Sequence, residues 1–170
     1  TLARPYLEEL ATASGETVHL GELAGREVVY VDLVDSPQPI RIFSQIGASA
    51  PAYVTSVGKA ILAALTPSER ASGMPLEFVR RTATTVGSAA ALEIQFEQIR
   101  ARGYSIDDRE NREEIRSYAA TVHDHTGAAV AAISVAGPVY RVSQDDDERL
   151  GGLVAATARE VSAALGYHQP

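Results

Sequence analysis

An α+β domain, with a mostly antiparallel sheet of about six strands flanked by helices, is the fold this sequence predicts. Three observations predict it. Six short segments carry the Val, Ile and Leu content of strands; they fall into two groups of three; and helix-patterned stretches separate the groups and close both ends. At 170 residues the chain has the length of one domain, enough to bury about two thirds of its unfolded surface. Neither an internal repeat nor a low-complexity linker divides it, so residues 1–170 are expected to form a single domain.

Apolar positions Leu2, Tyr6, Leu7 and Leu10 recur at helical spacing, with Pro5 tolerated in a first turn, so a helix is expected over 3–13, stopped by Gly15. Strands follow at 17–23 and 27–34, joined across Ala24-Gly25-Arg26 in a short hairpin. Ser36-Pro37-Gln38-Pro39 breaks the second strand, and 40–45 reads as a third, shorter one. The stretch from Gly47 to Ala60 begins as a loop punctuated by Gly47 and Pro51 and ends as an apolar helix running from Ser56 to about Leu65. Thr66-Pro67-Ser68-Glu69 is a capping box with Pro at the first helical position, which starts a second short helix. Between Ala71 and Gly87 the periodicity is weak, and only a short helix near 75–80 is expected.

A longer helix follows at 89–102, with Leu92, Phe96 and Ile99 on one face and Gly103 at its stop. Residues 104–108 form a strand. Segments 115–123 and 128–135 form a hairpin around the turn Asp124-His125-Thr126-Gly127. A closing helix over 145–165 places Leu150, Leu153, Val154, Thr157, Val161 and Leu165 on one stripe, begins acidic as its dipole favours, and ends at Gly166.

The composition excludes several functions. A formal charge of −7 and a single lysine, Lys59, argue against this chain gripping DNA or an anionic membrane itself. The absence of cysteine rules out disulfides, a thiol nucleophile and Cys-based metal sites. No apolar run approaches the ~20 residues of a membrane span, and no signal peptide opens the chain, so a cytoplasmic location and no membrane partner are expected. The first residue is Thr1 rather than Met, which suggests a piece of a longer protein, although processing would leave the same start.

Candidate chemistry concentrates in few places. A helix start leaves N–H groups unpaired and partly positive, so the Val54-Thr55-Ser56 turn can hold a small carboxylate; equally, Thr55 or Ser56 can simply cap its own helix. His123-Asp124-His125 has the alternation of a metal pair but lies at a turn that calls for polar residues anyway, and no metal or other cofactor is expected. His19 lies inside an apolar strand without a partner at ligand spacing. Asp107, at a strand end, could fix a polar ligand beside a cavity. Ser117 and Ser134 lie on the two strands of the last hairpin among apolar neighbours, where a hydroxyl is either bonded to backbone or lines a pocket. With no G-x-S-x-G elbow, phosphate loop or dinucleotide-binding glycine pattern, no catalytic residue is nominated. An enzyme acting on a small acid in the same cavity, and a pure dimerisation module, stand as the alternatives to a binding domain.

Taken together, the motifs resemble a known family. Gly47-x3-Pro51-x3-Thr55-x2-Gly58-Lys59-Ala60, Val28-Val29-Tyr30-Val31-Asp32 followed by Ser36-Pro37, Arg100-x2-Gly103-Tyr104 leading to Asp108-x-Glu110, and Ala132-Ile133-Ser134-Val135-x-Gly137-Pro138 are similar to the C-terminal effector-binding domain of IclR-family bacterial transcription regulators. The likeness runs from about residue 4 to 166. It implies a GAF-like (profilin-like) fold enclosing a pocket for a small organic acid or aromatic metabolite, and a homodimer or tetramer. It also implies DNA contact only through an N-terminal winged helix-turn-helix that is absent from this chain. By matching position it implies a pocket lined by the backbone amides of Thr55 and Ser56 and by Asp107, Ser117 and Ser134, with Tyr53 and Val54 in the adjoining loop wall. This chain departs from the family pattern: Ser117 stands where Cys is usual, Glu114 where Gly is, Thr121 where Pro is, and Ala136 where some relatives carry a second serine. Those changes put in doubt the transfer of any relative's ligand.

Overall fold

The computed structural model describes residues 1–169. Its elements are α1 (Arg4–Ser14), β1 (Thr17–Ala24), β2 (Glu27–Val34), β3 (Ser49–Pro51), α2 (Ser56–Ala64), α3 (Pro67–Arg70), α4 (Ala89–Arg102), β4 (Ser105–Asp108), β5 (Ile115–His123), β6 (Ala129–Pro138) and α5 (Asp147–Ala164). One sheet runs in the order β3-β2-β1-β6-β5-β4, and every neighbouring pair is antiparallel. Each group of three strands is thus a local meander, and the β1–β6 pairing, between strands over a hundred residues apart, welds the two into one sheet.

Alternation along the strands gives the sheet two buried faces. Val18, Leu20, Tyr118, Ala120, Val122, Ile133 and Val135 point to one, where α1 and α5 cover them with Leu7, Leu10, Leu150, Val154 and Val161. Val28, Ala119 and Ala132 point to the other, beneath α2 and α4, whose Ile61, Leu62, Leu92, Phe96 and Ile99 complete a second apolar cluster. Fully burying side chains of this size contributes about 1.5–3 kcal/mol each, which makes the two clusters the main source of stability.

Helix α2 starts against the 3-10 turn Ala52–Val54. A β-carbon on Gly58 would lie 2.1 Å from the Ala52 carbonyl oxygen, so only glycine lets the helix seat that closely. Thr55 then caps the helix, its Oγ1 accepting from the Gly58 N–H at 3.0 Å. The capping box at Thr66 forms as the sequence predicts.

Four expectations are corrected. Residues 40–45 form no strand: Pro37 and Pro39 lack ladder donors, Ile40, Phe43 and Ile46 face solvent, and β2 meets its partner only beyond the left-handed Gly47 (φ 87°). There, Gly47 donates to the Tyr30 carbonyl at 2.8 Å, and Ser49–Pro51 becomes the third strand. No helix forms at 75–80; this stretch is tied down instead by threonine hydroxyls, with Thr82 Oγ1 donating to the Arg109 carbonyl at 2.6 Å and Thr85 Oγ1 to that of Glu110 at 2.7 Å. β6 runs on to Pro138, because β5 continues to pair with it as far as Ile115. On α5 the buried stripe is Leu150, Val154, Ala158 and Val161, while Leu153, Thr157 and Leu165 sit half-buried at its edge.

Candidate functional site

The face of the sheet beneath α2 changes character along its length. Cross-strand register places Asp107 of β4 beside Ser117 of β5 and Ser117 beside Ala136 of β6; the next row runs from Ser105 through Ala119 and Ser134 to His19 of β1. Toward the middle of the same face the next row is Gly21, Ala132 and Thr121, and the Thr121 hydroxyl is taken up by the Ala60 carbonyl of α2 at 2.9 Å. Polar side chains from four strands therefore collect at one end of a largely apolar surface. A bulge in β2 at Val31, opposite Leu20 and Gly21, shifts the register against β1, and the Tyr30 ring comes to lie 4.7 Å from that of His19.

His19, Tyr30, Asp107, Ser117, Ser134 and Ala136 surround a hollow of about 240 Å³, lined also by the N-terminal turn of α2 and by the connection that leads from β2 to β3. His19 links its floor to its cover: Nδ1 lies 3.3 Å from Ser134 Oγ and Nε2 2.8 Å from Ser44 Oγ of the connection. Burial pushes the His19 pKa down to about 4, partly countered by the Asp35 charge, so the ring is neutral at pH 7 and has one donor and one acceptor nitrogen. Ser117 Oγ donates to Ser56 Oγ at 2.8 Å, which joins β5 to the first residue of α2.

Asp107 is the acidic group of the hollow. Its burial raises the carboxyl to about pH 7, against the opposing pull of Lys59 and of the Glu110 N–H, which donates to Asp107 Oδ1 at 2.7 Å. Burial, with the Asp107 charge, pushes the Tyr30 phenol up to about 12. Behind the hollow the Lys59 ammonium is wholly enclosed. It donates to Glu110 Oε2, to Gln95 Oε1 at 2.8 Å and to the Ile106 carbonyl at 2.6 Å. Two further groups border the hollow: Asn111, whose buried Oδ1 has no hydrogen-bond partner among the described residues, and Arg112, an exposed cation at the rim.

Of the residues nominated from sequence, Thr55, Ser56, Asp107, Ser117 and Ser134 line this hollow together. Tyr53 and Val54 do not. They turn into the apolar cluster beneath α2, where the Tyr53 hydroxyl donates to the Val79 carbonyl at 2.8 Å and its ring meets Phe78 edge-on at 5.3 Å. The Thr55 amide is engaged within the turn, donating to the Ala52 carbonyl at 3.3 Å, and its hydroxyl is the helix cap, so Ser56 is the nearer of the two amides to a free donor. Ala136 borders the hollow, whereas Glu114 pairs with Arg112 at 2.8 Å in solvent.

Sequence reasoning missed His19, Tyr30, Ser44, Asn111 and Arg112. His19 and Ser134 meet only through the long-range β1–β6 register, and the bulge that brings Tyr30 alongside leaves no mark in the alternation. His123 and Asp124 lie elsewhere: the His123 ring stacks on Tyr167 at 5.0 Å, and the Asp124 carboxylate accepts from the Thr126 and Ala128 amides of its own turn. No helix among the described residues is long and apolar enough to cross a membrane.

Comparison with known proteins agrees with this architecture. The family described as "Bacterial transcriptional regulator IclR C-terminal" matches residues 1–163. Among curated relatives, the HTH-type transcriptional regulator KdgR of Escherichia coli is 34% identical over 95% of this chain, and the HTH-type transcriptional repressor AllR of Salmonella typhimurium is 33% identical over 100% of it. The chain spans 62% and 63% of the length of those two relatives. Among solved structures, the IclR of Thermotoga maritima superposes with a TM-score of 0.91 at 32% identity, over 98% of this chain and 68% of that one. The C-terminal domain of E. coli KdgR gives 0.85 at 32% identity, over 98% and 97%.

Proposed function

Because the chain belongs to the IclR family of bacterial transcriptional regulators, as its C-terminal domain, we propose that it senses a small organic acid held in the His19–Asp107–Ser117–Ser134 hollow. One observation supports this above the others: polar side chains from four strands converge with a helix N-terminus on a space of about 240 Å³, while an apolar cluster fills the space beneath α2 beyond it. The carboxylate of the acid would lie against the Ser56 N–H and the positive end of α2, with Arg112 at the rim. Hydroxyl or carbonyl groups on its other end would meet Ser117, Ser134 and Asp107. Asp107, balanced near neutrality, can accept from a ligand hydroxyl when ionised or donate to a carbonyl when protonated.

In the parent protein this domain would sit behind an N-terminal winged helix-turn-helix and assemble as a homodimer or tetramer in the cytoplasm. The acid would act by binding one arrangement of the assembly more tightly than another, which resets the spacing of the DNA-binding domains. The reading is that of a binding domain with no catalytic step.

Calorimetric titration with two- to six-carbon oxo and hydroxy acids and simple aromatic acids tests the reading. For any acid that binds, Ser134→Ala and Asp107→Asn should each weaken affinity by roughly 5- to 50-fold, the cost of one lost hydrogen bond in a buried site. Unchanged affinity in both variants for every binder would refute the assignment.

A further inference from the structure

A second cleft lies on the opposite side of α2, and no part of it belongs to the polar hollow. Strand β4 pairs only with Arg116–Ala119 of β5, so Ala120–His123 have no strand neighbour on that side, although β6 pairs with β5 as far as His123. The helical layers do not close the gap. α2 and α4 form one wall, α5 the other, and alanines make up much of the lining, among them Ala60, Ala63, Ala119, Ala155, Ala158 and Ala163. The space enclosed is about 460 Å³, nearly twice that of the polar hollow. Interiors otherwise close-pack, so a cleft kept open by alanines from three elements has the shape of a receptor for an apolar body.

Its charge is equally distinctive. In a chain of formal charge −7, the cleft is bordered by Arg100 and Arg159 and by no carboxylate side chain. Arg100 is anchored by a bond from Nη1 to the Ala63 carbonyl at 3.1 Å and lies 3.6 Å from Glu93, while Arg159 makes no ion pair within 4.0 Å among the described residues. Tyr104 and the stacked His123–Tyr167 pair supply aromatic edges. The geometry points to a second ligand site, for an amphipathic carboxylate whose apolar body lies on the alanine walls and whose carboxylate reaches Arg159 or Arg100. Because α2 contributes to both sites, with its first turn at the polar hollow and its last turns at this cleft, an occupant here bears on the same helix as the proposed effector.

The probe is 2-naphthoate, titrated into the isotope-labelled domain and followed by amide chemical shifts, with 2-naphthylmethylamine as the cationic counterpart. The expected result is saturable shifts at Ala120, His123, Ala155, Ala158 and Tyr167, no saturable response to the amine, and roughly tenfold or greater weakening in Arg100→Glu/Arg159→Glu. Ala163→Trp, an exposed position at the mouth, should abolish binding with the melting temperature unchanged. Shifts confined to Ser117, Ser134 and their neighbours, equal binding of the amine, binding undiminished in Ala163→Trp, or no shifts up to millimolar probe would each overturn the proposal. Ser134→Ala and Asp107→Asn should leave 2-naphthoate binding at this cleft unchanged, so failure here and failure of the polar hollow are distinguishable.

Discussion

The two faces of this sheet differ in how they treat polar groups. On the side covered by α1 and α5 the interior is apolar, and the polar side chains at its margin are tied to partners within the fold. Arg116 makes a two-pronged contact with Asp147, at 2.7 and 2.9 Å, and the Tyr118 hydroxyl donates to the same carboxylate at 2.7 Å. On the side beneath α2, serines, a histidine and a carboxyl line a space, and the Asn111 oxygen beside it is buried without a partner among the described residues. Polar groups closed on one another at a packed margin serve stability; polar groups that converge, partnered among themselves, around an open space can exchange those partners for a ligand's. Substitutions should separate the two roles.

The largest effect is expected from Lys59→Met, which leaves the Glu110 carboxylate buried without its cation and should cost about 3–5 kcal/mol in denaturant unfolding. Lys59→Met combined with Glu110→Gln should recover much of that loss, since the cost comes from the unpaired charge. Close behind, Leu150→Ala on the opposite face should cost about 2–5 kcal/mol while leaving the affinity for any bound acid unchanged within error. A shift in affinity would break the separation of the two faces.

Next in size is a pH effect internal to the hollow. His19 is held neutral in the fold with its pKa near 4, against an ordinary value of about 6.5, so unfolding takes up a proton between those limits. Its contribution to stability is complete above about pH 6.5 and is lost as the pH falls toward 4. Asp107 runs the other way: with its pKa raised to about 7, the folded chain holds a proton that the unfolded chain releases above about pH 4, so stability falls as pH rises toward 7. In the native chain the two slopes oppose each other. Unfolding measured at intervals from pH 4 to 7 should give stability that falls with pH in His19→Gln and rises with pH in Asp107→Asn. Smallest is Thr55→Ala, which removes the cap of α2 and should cost about 1 kcal/mol, with Thr55→Ser restoring most of it.

Much of this was legible in the sequence because it is local. Gly15 and Gly103 at helix stops, Thr66 with Glu69 in a capping box, and the Asp124–Gly127 turn between β5 and β6 each depend on residues within one turn. Asp107, Ser117 and Ser134 were singled out because each is a polar residue on a strand, and the structure brings them to one place. His19 read as an isolated core histidine because its partners, Ser134 and Ser44, are supplied by a long-range register and by an irregular connection. The connection has the content of a strand in Ile40, Ile42 and Phe43, and the lack of a partner along β2 there decides against it. The motif position of Tyr53 and Val54 points to the pocket wall but carries no sign that the 3-10 turn rotates them into the core.

The central claim is that the polar end of the α2-facing surface receives a small acid. Amide chemical shifts of the labelled domain, followed through a titration with an acid found to bind by calorimetry, test it most directly. The account predicts saturable shifts at His19, Ser56, Asp107, Ser117 and Ser134 with the amides of Leu150, Val154 and Val161 unmoved; shifts that instead cluster on α1 and α5, or that spare the two hairpin serines, would contradict it.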